Sequence, residues 1–208
     1  MARYREPLCR LCRRDGDKLY IKAERCFTDK CAMERRKYAP GLHGQKRVKF
    51  SDYALQLKEK QKVRRIYGIL ERQFRNYFEA AAKRKGITGE MLLQSLELRL
   101  DNVVFRLGFA ANRNQARQLV THGHFRVNGR KVDIASFSMK AGDVVEASES
   151  AKKIPCISES IAKAEHRGLP VWLESDAQSI KGKVLHIPKR DEIALNAKEQ
   201  LIVELYSK

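Results

Sequence analysis

Long apolar runs are absent from this 208-residue sequence. No segment stays apolar over the roughly 20 residues that a helix needs to cross a bilayer, so a membrane partner is not expected. The apolar stretch of a secretory signal is missing too, because Arg3, Arg5 and Glu6 lead straight into Pro7, Cys9 and Cys12; the cytoplasm is the expected compartment. Catalytic signatures are equally scarce. There is no Gly-Lys-Ser/Thr phosphate loop, no zinc-protease His pair at i, i+4 and no nucleophile elbow. His122, His124, His166 and His186 have no catalytic partner close by in sequence. Neither an enzyme nor a small-molecule substrate is expected.

Negative charge is also in short supply: 25 Asp plus Glu face 43 Lys plus Arg, for a net charge of +18. Such an excess repels itself and calls for a polyanionic partner. Hydrophobic residues make up 43% of the chain, enough for a core in one or two compact domains, so the charge decorates a folded protein. It is loaded toward the front: residues 1–50 hold 15 cations against 6 acids and residues 51–100 hold 11 against 6, while residues 101–150 hold 7 against 5 and 151–208 hold 10 against 8. A merely solvated face needs far less net charge.

Only five cysteines occur, yet four fall in two pairs, Cys9-x-x-Cys12 and Cys26-x4-Cys31. In a reducing compartment that layout reads as metal-binding rather than disulfide-bonded. Two short turns, each presenting two thiolates, close a tetrahedral cage with no open position, so one structural zinc ion, Zn(2+), is expected; an iron–sulfur cluster uses the same four ligands and stays open as the alternative. Four thiolates around a divalent metal carry a net charge of about −2, and Arg10, Arg13, Arg14, Arg25 and Lys30 stand beside them. Cys156 stands alone and reads as packing. His43 reads as a loop residue that touches phosphate or water rather than as a ligand. With Arg3, Arg35, Arg36, Lys46 and Arg47, these cations make residues 1–50 a basic, metal-binding segment.

Ser51 reads as an N-cap, and residues 52–67 lack Pro and Gly and are rich in good helix formers. Lys58, Lys62 and Arg65 recur at i, i+4 and i+7 and so share one face, spaced to follow a phosphate backbone. A second helix places Leu70, Phe74, Tyr77, Phe78 and Ala81 at core spacing, with Arg72 outside. A third is expected to run from Thr88 without interruption through Leu93, Leu96, Leu100, Val103 and Leu107. Asn112 opens a further helix that buries Ala116, Leu119 and Val120, leaving Arg113, Arg117, Gln118 and Thr121 on the outside. After Gly123, Asn128-Gly129 joins two short strands as a type I′ hairpin that sets Arg126 opposite Lys131. Like charges there cost up to about 1 kcal/mol, which makes sense if phosphate sits between them. Val144–Ala147 is expected as a further strand, followed by a helix at residues 161–167 and short strands at 171–173 and 184–187.

The residues Arg99-Leu-Asp-Asn-Val-Val-Phe-Arg-Leu-Gly-Phe109, Gln115-Ala-Arg-Gln-Leu-Val120 and Val127-Asn-Gly129 closely resemble the small RNA-binding module named after the fourth protein of the small ribosomal subunit. Ala39-Pro-Gly-Leu-His-Gly44, residues 57–68 and the terminal Leu201-Ile-Val-Glu-Leu-Tyr-Ser-Lys208 extend the resemblance over nearly the whole chain, to the bacterial family of that ribosomal protein, in its cysteine-bearing form. The resemblance implies early binding to small-subunit (16S) ribosomal RNA at a helix junction in its 5′ domain, nucleation of 30S assembly, contact with neighbouring small-subunit proteins, and a place where messenger RNA (mRNA) enters, with influence on decoding accuracy. In some bacteria the family also represses its own operon. His122, Asn128 and Arg130 join the RNA-binding set on the same grounds.

The expected fold is α+β: a mainly helical amino-terminal domain bearing the four-cysteine loop, with an inserted helix-helix-hairpin RNA-binding module. The expected boundaries are residues 1–50, 51–96, 97–157 for the module, and 158–208 for a segment that packs back on the helical domain. A DNA-binding regulator built on a four-cysteine site is the rival reading. Cations spread over several loops and helices suit an irregular folded RNA better than one groove of a duplex.

Overall fold

A computed structural model describes residues 4, 6–46, 49–164 and 168–207. It is a mixed α/β fold in two compact units. The first comprises residues 1–89 and 195–208; the second comprises residues 90–194 and is inserted between those two stretches.

The first unit is helical. It holds α1 (Leu8–Asp15), α2 (Ala32–Arg35), α3 (Asp52–Ile66), α4 (Glu71–Ala82) and, from the far end of the sequence, α10 (Glu199–Tyr206). The Ser51 hydroxyl accepts from the Ala54 N–H and caps α3. On α4, Phe74, Phe78 and Ala81 turn inward at i, i+4 and i+7, whereas Leu70 is the exposed N-cap residue and not part of the core. Tyr206 on α10 stacks on Phe74 and Phe78, its hydroxyl donates to Glu71 at 2.9 Å, and Gln56 on α3 donates to Glu204 at 3.0 Å.

The second unit contains α5 from Glu90 onward, α6 (Leu100–Arg106), α7 (Arg113–Thr121), β1 (Phe125–Val127), β2 (Arg130–Lys131), β3 (Val144–Ala147), α8 (Glu149–Lys152), α9 (Pro155–Ala164), β4 (Leu173–Asp176) and β5 (Lys181–Val184); α5 itself spans Thr88–Glu97. The strands form one antiparallel sheet ordered β2-β1-β3-β5-β4. Its inner face carries Phe125, Val127, Val145, Ala147 and Val184 onto Val103, Leu107, Phe109, Leu119 and Trp172.

Two expectations fail on strand pairing. The third helix is not continuous: it breaks at Leu98 and Arg99, because backbone there pairs across the chain instead. Met139 N–H donates to Leu98, Leu100 N–H to Phe137 and Asp101 N–H to Ala135. Buried Arg99 then holds Asp101 through Nε at 3.0 Å and Nη2 at 2.6 Å. The segment that returns to the helical unit is also shorter than residues 158–208, since β4 and β5 complete the sheet and only residues 195–208 go back. β4 starts at Leu173, later than residue 171, with Trp172 buried in the core, whereas β5 starts at Lys181, earlier than residue 184, with Gly182 packed against Leu107. The expected helix at 161–167 is α9, which starts at Pro155; Glu165, His166 and Arg167 lie outside the described residues.

Candidate nucleic-acid interface

In the second unit the interface is built on α7 and the first hairpin. Asn112 caps α7 by accepting from the Gln115 N–H at 2.9 Å, and Ala116, Leu119 and Val120 anchor the inner face. Gln118 and His122 stand exposed outside, and Arg117 is half-buried. Arg113 is tied inward. Its Nε donates to the side-chain Oδ1 of Asn102 at 2.8 Å and its guanidinium lies 4.5 Å from the Phe105 ring centroid. Asn102 in turn donates to Glu97, which also receives Arg106, so Arg113 is the outer end of a buried chain of charge-assisted bonds.

Asn128 and Gly129 take positive φ of 48° and 78°, and Arg126 sits opposite Lys131. Asn128 is occupied structurally: its amide donates to Asp143 and its oxygen accepts from the Val144 N–H. Glu146 of β3 stands on the other flank of Arg126, a neighbour visible only once the β1–β3 register is known. It moderates the repulsion that argued for phosphate, yet Arg126, Arg130 and Lys131 all remain exposed. A Cβ on Gly123 would meet Lys131 Cε at 2.1 Å, so the lysine stem lies across this glycine at the end of α7. His122 and His124 are 6.0 Å apart there, and burial, followed by the charges of His122 and Lys131, holds the His124 pKa below its ordinary value. The helix end and hairpin therefore gather their positive groups into one place.

In the first unit the four expected ligands line one small cavity, of about 10 Å³, together with Leu8, Ile21, Met33 and others. That is room for an atom-sized guest. Cys12, Cys26 and Cys31 are buried and Cys9 is half-buried. Lys22 donates its N–H to Cys26 Sγ at 3.4 Å. Burial foremost pushes the Cys12 thiol up to about 11, with the other three cysteines adding to the rise. Among the described residues, however, no three His, Cys, Asp or Glu side chains converge as a ready ligand group.

The cations around this loop divide into two sets. Arg13 donates to Tyr38 and Ala39 carbonyls and covers the Tyr38 ring, Arg14 reaches Pro40, Arg25 donates to Lys30 and Arg35 to Asp29. These bonds shape the loop while Arg14, Arg25 and Arg35 stay exposed. Arg10, Arg36, His43, Lys46 and Arg72 are exposed too. The row on α3 is different. Lys62 is only 6% exposed and pairs with Asp17 at 2.9 Å, Arg65 pairs with buried Asp15, and Lys58 lies over the Phe50 ring. This row ties α3 to the cysteine loop. Arg3 and Arg47 lie outside the described residues. The sequence reading passed over Lys22, an exposed cation on the cavity wall; its place inside the second half of the cysteine layout was the available signal.

A family model described as "Ribosomal protein S4/S9 N-terminal domain" matches residues 3–97, and one described as "S4 domain" matches residues 98–145. The chain is 61% identical to "Small ribosomal subunit protein uS4" of Thermodesulfovibrio yellowstonii over 208 residues, all of both chains. It is 61% identical to the protein of the same name from Geobacter sp. (strain M21) and 58% identical to "Small ribosomal subunit protein uS4A" of Myxococcus xanthus, again over the full length of each. On full-length identity at that level, the chain belongs to the uS4 family of small ribosomal subunit proteins.

Proposed function

We propose that this chain is a structural component of the small ribosomal subunit that binds small-subunit ribosomal RNA and takes its place in the ribosome in the cytoplasm beside other ribosomal proteins. The observation that carries the reading is the exposed cluster of Gln118, His122, Arg126, Arg130 and Lys131, held on a helix end and hairpin whose other faces are core. Positions of phosphates and shape, rather than base edges in one groove, are what such a surface reads. Family membership sets catalysis aside. Nucleation of 30S assembly, a position where mRNA enters, and influence on accuracy belong to the same proposal. Titration against small-subunit ribosomal RNA and a length-matched unrelated structured RNA, at two salt concentrations, tests it. Preference for the ribosomal RNA that survives the higher salt supports the reading, and equal, salt-abolished binding to both defeats it.

We propose that the four cysteines hold one structural zinc ion: all four line one small cavity, and the Lys22 N–H already donates to the Cys26 sulfur. When bound, the metal supplies the cross-link that closes the loop, and the residues themselves keep Arg14, Arg25 and Arg35 on its outside. Metal analysis of the purified protein and RNA titration after chelation test this. Binding undiminished in a metal-free protein would show that the loop needs no metal to hold its cations.

A further inference from the structure

We infer that Tyr20 and Phe27, on the outer wall of the cysteine loop, form a stacking platform for an unpaired base of the bound RNA. This rests on the RNA-binding reading above and adds a contact of a different kind, one to a base face rather than to phosphate.

Tyr20 is 46% and Phe27 66% exposed, and their ring centroids lie 5.1 Å apart at an interplanar angle of 32°. Large apolar rings left in water side by side have a cost unless something covers them. Two other exposed rings of this unit lie under cations, Tyr38 under Arg13 and Phe50 under Lys58; in the ring contacts among the described residues, Tyr20 and Phe27 meet only each other. The chain works to keep them outside. Tyr20 and Ala23 both hold left-handed φ, 51° and 49°, a conformation that residues with a Cβ rarely adopt. The reversal at Tyr20 sends Leu19 inward, to 2% exposure, and its neighbour outward. Phe27 follows buried Cys26 and is fixed by its N–H donating to Glu24 at 2.9 Å. The two rings are thus carried by the direct chain neighbours of Ile21 and Cys26, which line the four-cysteine cavity.

Charge decides the occupant. Lys22 and Arg25 are exposed between the two rings in sequence, and Lys30 follows. A base stacked on Phe27 would bring its phosphates among these cations. Every base has a π-face, so the platform accepts an unpaired nucleotide without demanding one sequence.

The test uses the full-length protein and a small-subunit ribosomal RNA fragment that the native chain binds. Tyr20→Leu and Phe27→Leu keep apolar bulk and remove the π-face; each is expected to weaken binding about tenfold, from the worth of one stacked base, while the slope of log affinity against log salt is unchanged, since no phosphate contact is lost. Phe27→Trp should bind like the native chain, with its emission quenched on adding the RNA. If both leucine variants bind as the native chain does and the tryptophan emission does not move, the platform is refuted and the rings serve another partner, such as a neighbouring protein. If the native chain itself fails to prefer the ribosomal RNA, the failure lies with the broader reading instead.

Discussion

Arg113 and Lys131 belong to the same basic surface, yet the structure predicts opposite consequences for removing them. Arg113→Ala deletes a 2.8 Å charge-assisted bond to Asn102 and the packing of a guanidinium on Phe105, and it leaves the carbonyl oxygen of a buried asparagine without that donor. The unmet acceptor and the lost contact together cost about 2–3 kcal/mol. In a unit of this size that lowers its melting temperature by roughly 10 °C or more. Lys131 is exposed and faces Arg126 across the hairpin. Lys131→Ala should therefore shift stability by less than about 0.5 kcal/mol, toward stabilisation if either way, while reducing the salt slope of RNA binding by about 1. Thermal melts and salt-series titrations of both variants, side by side, separate the two roles. A Lys131→Ala protein that melts as low as Arg113→Ala, or one that keeps the native salt slope, would refute the division.

Arg65→Met leaves Asp15, 2% exposed, without its ion-pair partner, and should destabilise the first unit by about 3 kcal/mol at neutral pH. Burial already holds the Asp15 pKa up at about 6, above its ordinary 3.8, so the native state takes the proton first; the variant should recover stability as pH falls from above 6 toward 4, and denaturant melts at pH 7.5 and 5 check this. Tyr206→Phe keeps the stack on Phe74 and Phe78 but loses the hydroxyl bond to Glu71, a cost of about 1–2 kcal/mol that urea unfolding would register. Gly182→Ala puts a Cβ 2.5 Å from the Leu107 methyls inside the core and should cost about 1–3 kcal/mol, with unfolding of the second unit as the readout.

Much of this fold was legible because its local signals agree. The Ser51 and Asn112 caps, the i, i+4, i+7 spacing of Phe74, Phe78 and Ala81, and Asn128-Gly129 each dictate local geometry, and the structure shows each in place. Distant pairing was not legible. The break at Leu98 and Arg99 depends on residues 135–139, and the place of β4 and β5 depends on edges offered by β3; neither leaves a mark in the local pattern. The same limit governed the candidate site. Helical periodicity correctly put Lys58, Lys62 and Arg65 on one face but not what lay against it, because Asp15 and Asp17 come from another helix end some 45 residues earlier in the chain.

The ion pairs of Lys62 with Asp17 and of Arg65 with Asp15 divide the positive charge of the first unit. A cation paired with a carboxylate in the free protein gives little when RNA arrives, since it must trade one anion for another. Lys62 and Arg65 are of this kind, and so their worth to binding lies in holding the cysteine loop on α3. Arg10, Arg14, Arg25 and Arg36 are exposed on a loop fixed by carbonyl bonds and by α3, so in the proposed RNA contact they would lose less conformational entropy on meeting phosphate than on a free chain. The front-loaded positive charge is thus two populations, one paired with carboxylates that ties α3 to the cysteine loop and one exposed, which the proposed RNA contact would use.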